Sequence, residues 1–472
     1  MRQVIGIWLA MVGCADVELE RPRHTGEFLE IVSAPPKPRA ESQRPANVLF
    51  VLVDDVGIDK VRSYYPEIEG LARQPTLDRL ASEGMRFENA YAQSVCSPTR
   101  AALLTGRHAR RLGIGRWIPA SSGFELPLEA VTVPEVLAEA APDHWSTAAF
   151  GKWHLGSSSG PSGKDHPNLQ GFDHYSGVMD NFGTAEDFFA NTKTVNGEPT
   201  PYEAYATTDT MDDATDWIRE APEPWFAYVA TQAIHKPLHR PPDALHSFVE
   251  DAVLSPEEEL IAMLEALDTE LGRLLDTMDP EVRARTNIVV MGDNGSAAKY
   301  VAPPFLAERV KGSVYEGGVR VPLIVVGPAV GAPGTVSEAL VHVTDWLPTI
   351  AEWADVDRAT VEATLGAPAD GHSLVHVLKA PDVPSESRYL YADRFRPLGP
   401  PPYSQDLRTV RDERWKIIDH YVDGVSFYDL SGFDVDEGDP LPLDDLNLEE
   451  QEAFDRLQAE LDRMGEELVY GL

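Results

Sequence analysis

Between Ala46 and Asp55 the chain reads ANVLFVLVDD, an unbroken apolar run that ends in two carboxylates. A short run of this kind, rich in Val and Leu and without polar alternation, fits a strand buried on both faces of a parallel sheet. STAAFG (146–151), PWFAYVA (224–230), TNIVVMGD (286–293) and VPLIVVGP (321–328) repeat the pattern. Between them, PTLDRLASEGM (75–85) and PEEELIAMLEALDTELGRLLDTM (256–278) carry apolar residues at helical spacing. Strands alternating with helices predict an α/β fold with a large, mostly parallel central sheet flanked by helices. In such sheets ligands sit beyond the carboxyl ends of the strands. Three predicted strands end in polar groups there: Asp54 and Asp55, Lys152 and His154, Asp293 and Asn294.

After about Glu386 the texture changes. YLYADRF (389–395), LRTVRDERWKIIDH (407–420) and GVSFYDLS (424–431) predict a smaller antiparallel sheet. A final helix follows, with Phe454, Leu457, Leu461, Met464 and Leu468 on one stripe, which reads as packing. At the other end, MRQVIGIWLAMVGCADVE has an early positive charge at Arg2 and an apolar run from Val4 to Val12. That run is too short to cross a membrane and has the shape of a secretory signal. MVGC also resembles a bacterial lipobox, in which Cys14 becomes lipidated and tethers the protein to a membrane. Either reading, lipidation or plain cleavage, gives an exported protein of the periplasm or cell surface. Residues 15–45, rich in Pro, Arg, Glu and Ser, read as a flexible linker. The expected organisation is therefore a leader (1–14), a linker (15–45), a catalytic domain (46–385) and a C-terminal subdomain (386–472).

Composition adds two exclusions. A net charge of -37 argues against nucleic acid as a partner, because phosphate binding needs a basic surface. It reads instead as a solvated acidic coat. There are 2 cysteines, and with Cys14 in the leader no disulfide is expected to hold the fold.

The chemistry-bearing residues gather in a few short stretches. Adjacent carboxylates at Asp54 and Asp55 repel, which a cation would relieve. Asp293 and Asn294, in GDNG, add a carboxylate and an amide oxygen. An all-oxygen set suits calcium, or magnesium as second choice, rather than zinc. Taken singly, each pair is equally explained by turn or capping chemistry. Cys96, in CSPTRAALLTG, stands at a predicted helix start, with Pro98 in the first turn and Arg100 one turn on. A helix N-terminus beside an arginine makes an anion pocket.

CSPTRAALLTG resembles the C-x-P-x-R…TG signature of the type I, formylglycine-dependent sulfatases of the alkaline phosphatase-like superfamily. NVLFVLVDDVG, GKWHLG (151–156), GFDHYSGV, HKP (235–237), GDNG, KGSVYEGGVRVP (311–322) and RTVRDERWKII…FYDLS are similar to further family motifs, in the family's order. The resemblance implies that Cys96 is oxidised to formylglycine, whose hydrate is the nucleophile. It implies a metal held by Asp54, Asp55, Asp293 and Asn294 with the modified Cys96. By the same resemblance Arg100 stabilises the hydrated aldehyde, Lys152 binds sulfate oxygens, and His154 is the base on the second hydroxyl of the covalent intermediate. His235 and Lys311 protonate or stabilise the departing alcohol. The implied activity is hydrolysis of sulfate monoesters, of sulfated carbohydrates above all, to an alcohol and inorganic sulfate. The implied partner is a formylglycine-generating or anaerobic maturation enzyme. Two alternatives stay open: a formylglycine-dependent phosphonate monoester or phosphodiester hydrolase, and a non-catalytic binder of sulfated glycans. Among the other histidines, His239 and His246 are expected at the surface or rim and His108 inside. The cluster Arg107–Arg116 is either a substrate rim or solvated surface.

Overall fold

The structure, a computed structural model, describes residues 44–301, 303–380, 388–432 and 436–471. The expected leader with Cys14, and residues 15–43 of the linker, lie outside the described residues. Ten strands build one sheet: β1 Asn47–Val53, β2 Met85–Tyr91, β3 Ser146–Lys152, β4 His174–Val178, β5 Asn191–Val195, β6 Glu198–Tyr202, β7 Trp225–Ala230, β8 Thr286–Gly292, β9 Leu323–Val326 and β10 Thr335–His342. Their order is β10-β2-β9-β8-β1-β7-β3-β4-β5-β6. The centre, β8-β1-β7-β3-β4, is parallel throughout. The sheet as a whole is mixed, because β9 runs antiparallel to both β2 and β8, and β5 and β6 add an antiparallel edge.

The apolar run of β1 shows why a strand without polar alternation belongs at the centre. Val48, Phe50 and Leu52 enter one core, and Leu49, Val51 and Val53 enter the core on the opposite face. Each such side chain contributes about 1.5–3 kcal/mol on leaving water, so neither face of β1 tolerates a polar residue. β7 divides in the same way, with Phe226 and Tyr228 on one side and Trp225 and Val229 on the other. The long helix Pro256–Thr277 covers the second face with Leu260, Met263, Leu267, Leu271 and Leu274. Ser255 caps it by accepting from the Glu258 backbone N–H at 3.3 Å, a capping box at the predicted start.

A second sheet of four antiparallel strands follows: β11 Leu390–Arg396, β12 Gln405–Arg411, β13 Trp415–Asp419 and β14 Val425–Asp429. The helix Leu448–Glu467 lays Leu457 and Leu461 on Val410, Trp415, Ile417 and Phe427. The expected stripe is therefore a packing face. A buried ion cluster joins the two sheets. Lys416 of β13, fully buried, reaches Glu316 at 2.8 Å, Glu437 at 2.7 Å and the Tyr91 hydroxyl of β2 at 3.1 Å. Arg411 of β12 adds a 3.2 Å ion pair to Glu316. Among the described residues no helix is long and apolar enough to cross a membrane.

Candidate active site

The carboxyl ends of β1, β7, β8 and β3 meet at one point. Asp293 N donates to Val53 O at 2.9 Å, and Ile234 N donates to Asp54 O at 2.9 Å, so the loops leaving β8 and β7 are stitched to the end of β1. Asp55 takes left-handed backbone, φ 61°, uncommon for a residue with a side chain. Its own N–H donates to Asp293 Oδ1 at 3.1 Å. The Gly295 turn follows, packed so closely that a Cβ there would meet the Gly317 carbonyl oxygen at 1.8 Å. Glycine at 295 is what lets Asn294 sit against Asp55, its Nδ2 donating to Asp55 Oδ1 at 2.9 Å.

Cys96 is the first residue of the helix Cys96–Thr105, after an extended Val95. Its sulfur lies 3.4 Å from Asp54 Oδ1 and 3.5 Å from the Lys311 ammonium. Arg100 is fully buried and committed to the carboxylates: Nη2 donates to Asp293 Oδ2 at 3.0 Å and stands 3.5 Å from Asp54 Oδ2. Its Nη1 donates to the Lys152 carbonyl at 2.8 Å, tying the helix to the end of β3. The Lys152 and Lys311 ammoniums pair with Asp54 and Asp55.

Two features fit a divalent cation. Ligand atoms of Asp54, Asp55, Cys96 and Asp293 lie within 4.8 Å of one another, all from buried residues. Asn294 Oδ1 is buried and, among the described residues, has no hydrogen-bond partner, which a metal ligand should lack and a turn-capping amide should not. The carboxylates are electrostatically divided. Burial would raise Asp54, but Lys152, His235, Arg100 and Lys311 together hold it well below the usual range. Burial and the Asp54 charge raise Asp293 to about 7, against Arg100 and Lys152. Burial first, then the Asp293 and Asp54 charges, push the Cys96 thiol well above its ordinary value. An unmodified Cys96 is therefore a thiol at neutral pH and a poor nucleophile.

His154 follows β3 in left-handed backbone, φ 57°. Burial, then the Lys152 and Arg100 charges, hold it neutral, and its Nδ1 has no partner. His235 lies 2.6 Å through Nδ1 from the Lys236 carbonyl. Burial, then the Lys152 charge, lowers it to about 4. At neutral pH it is uncharged, so its Nδ1 hydrogen is donated to that carbonyl. By contrast Lys311 is raised by Asp55 against the cost of its burial and stays charged. Asp55, Cys96, His154, His235 and Lys311 line a cavity of 560 Å³ whose walls include Ile234, Leu238, Leu260, Tyr300 and the partly exposed Trp117.

All ten expected site residues meet at this one place. Two of the neighbouring histidines, His239 and His246, depart from expectation, and His108 does not. His239 is not at the rim: it is buried in an aromatic nest, 4.0 Å from the Phe188 ring, with Nε2 3.3 Å from the Tyr205 hydroxyl. The His246 side chain turns inward, 3.6 Å from Asp243. His108 is buried between His342 and Tyr391. The arginine cluster splits. Arg110 pairs with Asp393 and Asp406, Arg111 with Asp370, and Arg107 donates to the Leu365 carbonyl. Among the described residues, Arg116 alone of the cluster finds no such partner, lying 4.4 Å over the Trp117 ring. Sequence reasoning missed Thr99, whose hydroxyl donates to Asp293 O at 2.6 Å and accepts from Gln93 N at 3.0 Å. It also missed Ser296, which locks the Gly295 turn by donating to Asp59 Oδ1 at 2.6 Å. Thr99 stands inside the C-S-P-T-R stretch, the one signal that could have found it.

The sulfatase family model matches residues 46–356 of this chain. Arylsulfatase J of Mus musculus is 30% identical over 329 residues, which cover 66% of this chain and 52% of that protein. The chain thus spans about half the length of that relative. Arylsulfatase G of Homo sapiens is 30% identical over 440 residues, 82% of this chain and 77% of that protein. Among solved structures, Ps i-CgsB in complex with k-i-k-neocarrahexaose superposes with a TM-score of 0.74 at 23% identity, covering 90% of this chain and 92% of that one. At that identity the likeness is one of fold.

Proposed function

The chain belongs to the sulfatase family, and on that premise we propose that it hydrolyses sulfate monoesters of carbohydrates to an alcohol and inorganic sulfate. The observation that carries the reading is Cys96, a buried thiol held protonated at a helix start, encircled by cations and carboxylates. Such a thiol is useless as it stands. On oxidation to formylglycine by a maturation enzyme and its oxidant, Cβ loses the thiol and one hydrogen and gains a carbonyl oxygen, and once hydrated it offers a hydroxyl as nucleophile. A divalent cation, calcium first and magnesium second, would be held by Asp54, Asp55, Asp293 and Asn294 with the modified Cys96, and would supply positive charge for the sulfate oxygens.

The chain's own residues do the rest. Lys152 and Arg100 fix the carboxylates and leave positive charge where sulfate oxygens accumulate negative charge. Lys311, charged and next to Cys96, is the donor to the departing alcohol oxygen. His235, neutral with Nδ1 engaged, keeps Nε2 for the same region. His154, neutral and with Nδ1 unpartnered among the described residues, would take a proton from the second hydroxyl of the hydrated aldehyde. The cavity of 560 Å³, with aromatic Trp117 and Tyr300, supports a sugar-sized substrate. The reading includes export, from the apolar N-terminal run, and a formylglycine-generating or anaerobic maturation enzyme as partner. A panel of sulfated mono- and oligosaccharides, aryl sulfates and aryl phosphonates tests it. Sulfate release must exceed phosphonate cleavage, and the reverse order favours the phosphonate hydrolase reading.

A further inference from the structure

In a chain with 77 acidic and 40 basic residues, carboxylates are plentiful, and the arginines around the second sheet show it. Arg110, Arg408, Arg411 and Arg414 each pair with at least one Asp or Glu. Three nearby guanidiniums do not. Among the described residues, no carboxylate lies in ion-pair reach of Arg116, Arg394 or Arg396. The Arg394 side chain donates to the Gly312 carbonyl, next to Lys311 on the cavity wall. Arg116 lies over Trp117, which lines the same cavity, and its Nε is buried without a partner. Arg394 and Arg396 both come from β11, two residues apart and so on one face of the strand. The three stand close enough that burial, then the charges of Arg396 and Arg116, depress Arg394.

Gathering like charges costs free energy unless an anion from outside balances them. The residue type is informative too, since a planar guanidinium binds sulfate or carboxylate oxygens bidentately where an ammonium cannot. We propose that Arg116, Arg394 and Arg396, beside Trp117, form a second anion subsite that takes a further sulfate or carboxylate group on the saccharide whose ester is cleaved at Cys96. The subsite makes the substrate a polyanionic saccharide, and Trp117 supplies a flat apolar face beside it. The inference rests on the sulfate ester reading for its substrate, but its binding claim stands separately.

The test uses three disaccharides: one sulfated once, one sulfated twice, and one sulfated once and bearing a uronate. Binding to Cys96→Ala protein is measured by calorimetry, and turnover is measured with the matured enzyme. Because Arg394 also holds the Gly312 carbonyl, the deciding variant is Arg116→Gln/Arg396→Gln, which leaves that bond in place. The wild-type chain is expected to prefer a doubly charged ligand over the singly charged one by tenfold or more, with the preference shrinking as salt rises. The double variant should erase that preference, chiefly through KM. Whichever doubly charged disaccharide carries the preference identifies the second group as sulfate or carboxylate. Equal affinity of the wild-type chain for all three ligands overturns the subsite, as does a preference that survives in the double variant. If the preference is found in binding but no sulfate is released from any disaccharide, the subsite stands and the catalytic reading falls.

Discussion

The Lys311 ammonium lies 3.5 Å from the Cys96 sulfur and pairs with Asp55, so the charged donor nearest the reacting position is a lysine and not a histidine. His235, lowered to about 4, carries no ionisable proton to spare at neutral pH. Lys311→Met should therefore slow cleavage most when the leaving alcohol is poor, by about 10²–10⁴-fold on alkyl sulfates, and far less on nitrophenyl sulfate. A series of aryl sulfates of graded acidity reads the slope. A flat dependence in Lys311→Met, with a steep one in His235→Ala, would transfer the donor role to the histidine.

Peptide mass spectrometry of protein made with the maturation enzyme should show the Cys96 peptide lighter by H₂S and heavier by O. Cys96→Ala should fold as the parent does, since its side chain is small and buried, and should lose turnover completely. Retained turnover in that variant would remove formylglycine from the account.

The orphaned amide oxygen of Asn294 and the raised Asp293 carboxyl make a metal prediction. Chelation should lower both activity and Tm, and added calcium should restore both, because a ligand that binds only the folded state stabilises it. Asp293→Ala should lose the metal by elemental analysis. A variant that keeps a stoichiometric divalent ion would show that the ligand set is wrong.

How much of this was legible follows from local signal strength. β1, β3, β7 and β8 were visible because strands buried on both faces need unbroken apolar runs, and their polar ends announced the site. The hairpin β5–β6 was not read, although Asn196 and Gly197, both at positive φ, are a strong turn signal; its strands, NTKTV and EPTPY, carry almost no apolar residues. β2 and β10 pair with each other across more than 240 residues of chain, with a bulge between Ser337 and Leu340, and no local pattern encodes that register. The same limit explains the arginines. Arg110 and Arg116 look alike in sequence, and only the arrival of Asp393 and Asp406 from two distant strands, β11 and β12, separates them. The burial of His239 has no local signal, because the aromatic residues that bury it, Phe188 and Tyr205, come from elsewhere in the chain.

The ion cluster between the sheets carries a stability prediction. Lys416→Met strands buried carboxylates and should cost about 3–5 kcal/mol, with Glu437→Gln recovering part of the loss. Burial, opposed by Lys416 and reinforced by Asp436 and Glu316, raises Glu437 to about 8. The folded state thus holds a proton that the unfolded chain releases near pH 4.3, so this group's contribution falls as pH rises from about 4.3 to 8. Glu316 is held low and stays ionised in both states above pH 5. Denaturant unfolding should show Glu437→Gln gaining on the parent between pH 5 and 8, by on the order of a few kcal/mol. A constant difference across that range contradicts the assignment.

On the proposed reading, this site transfers the sulfuryl group of a sulfate ester to water through an oxidised Cys96. Ion chromatography of inorganic sulfate, released from nitrophenyl sulfate by protein whose Cys96 peptide carries the aldehyde mass, tests it most directly. One sulfate should appear per nitrophenol, and release should be abolished in Cys96→Ala. Aldehyde-bearing, calcium-loaded protein that releases no sulfate from this ester or from any sulfated saccharide would contradict it.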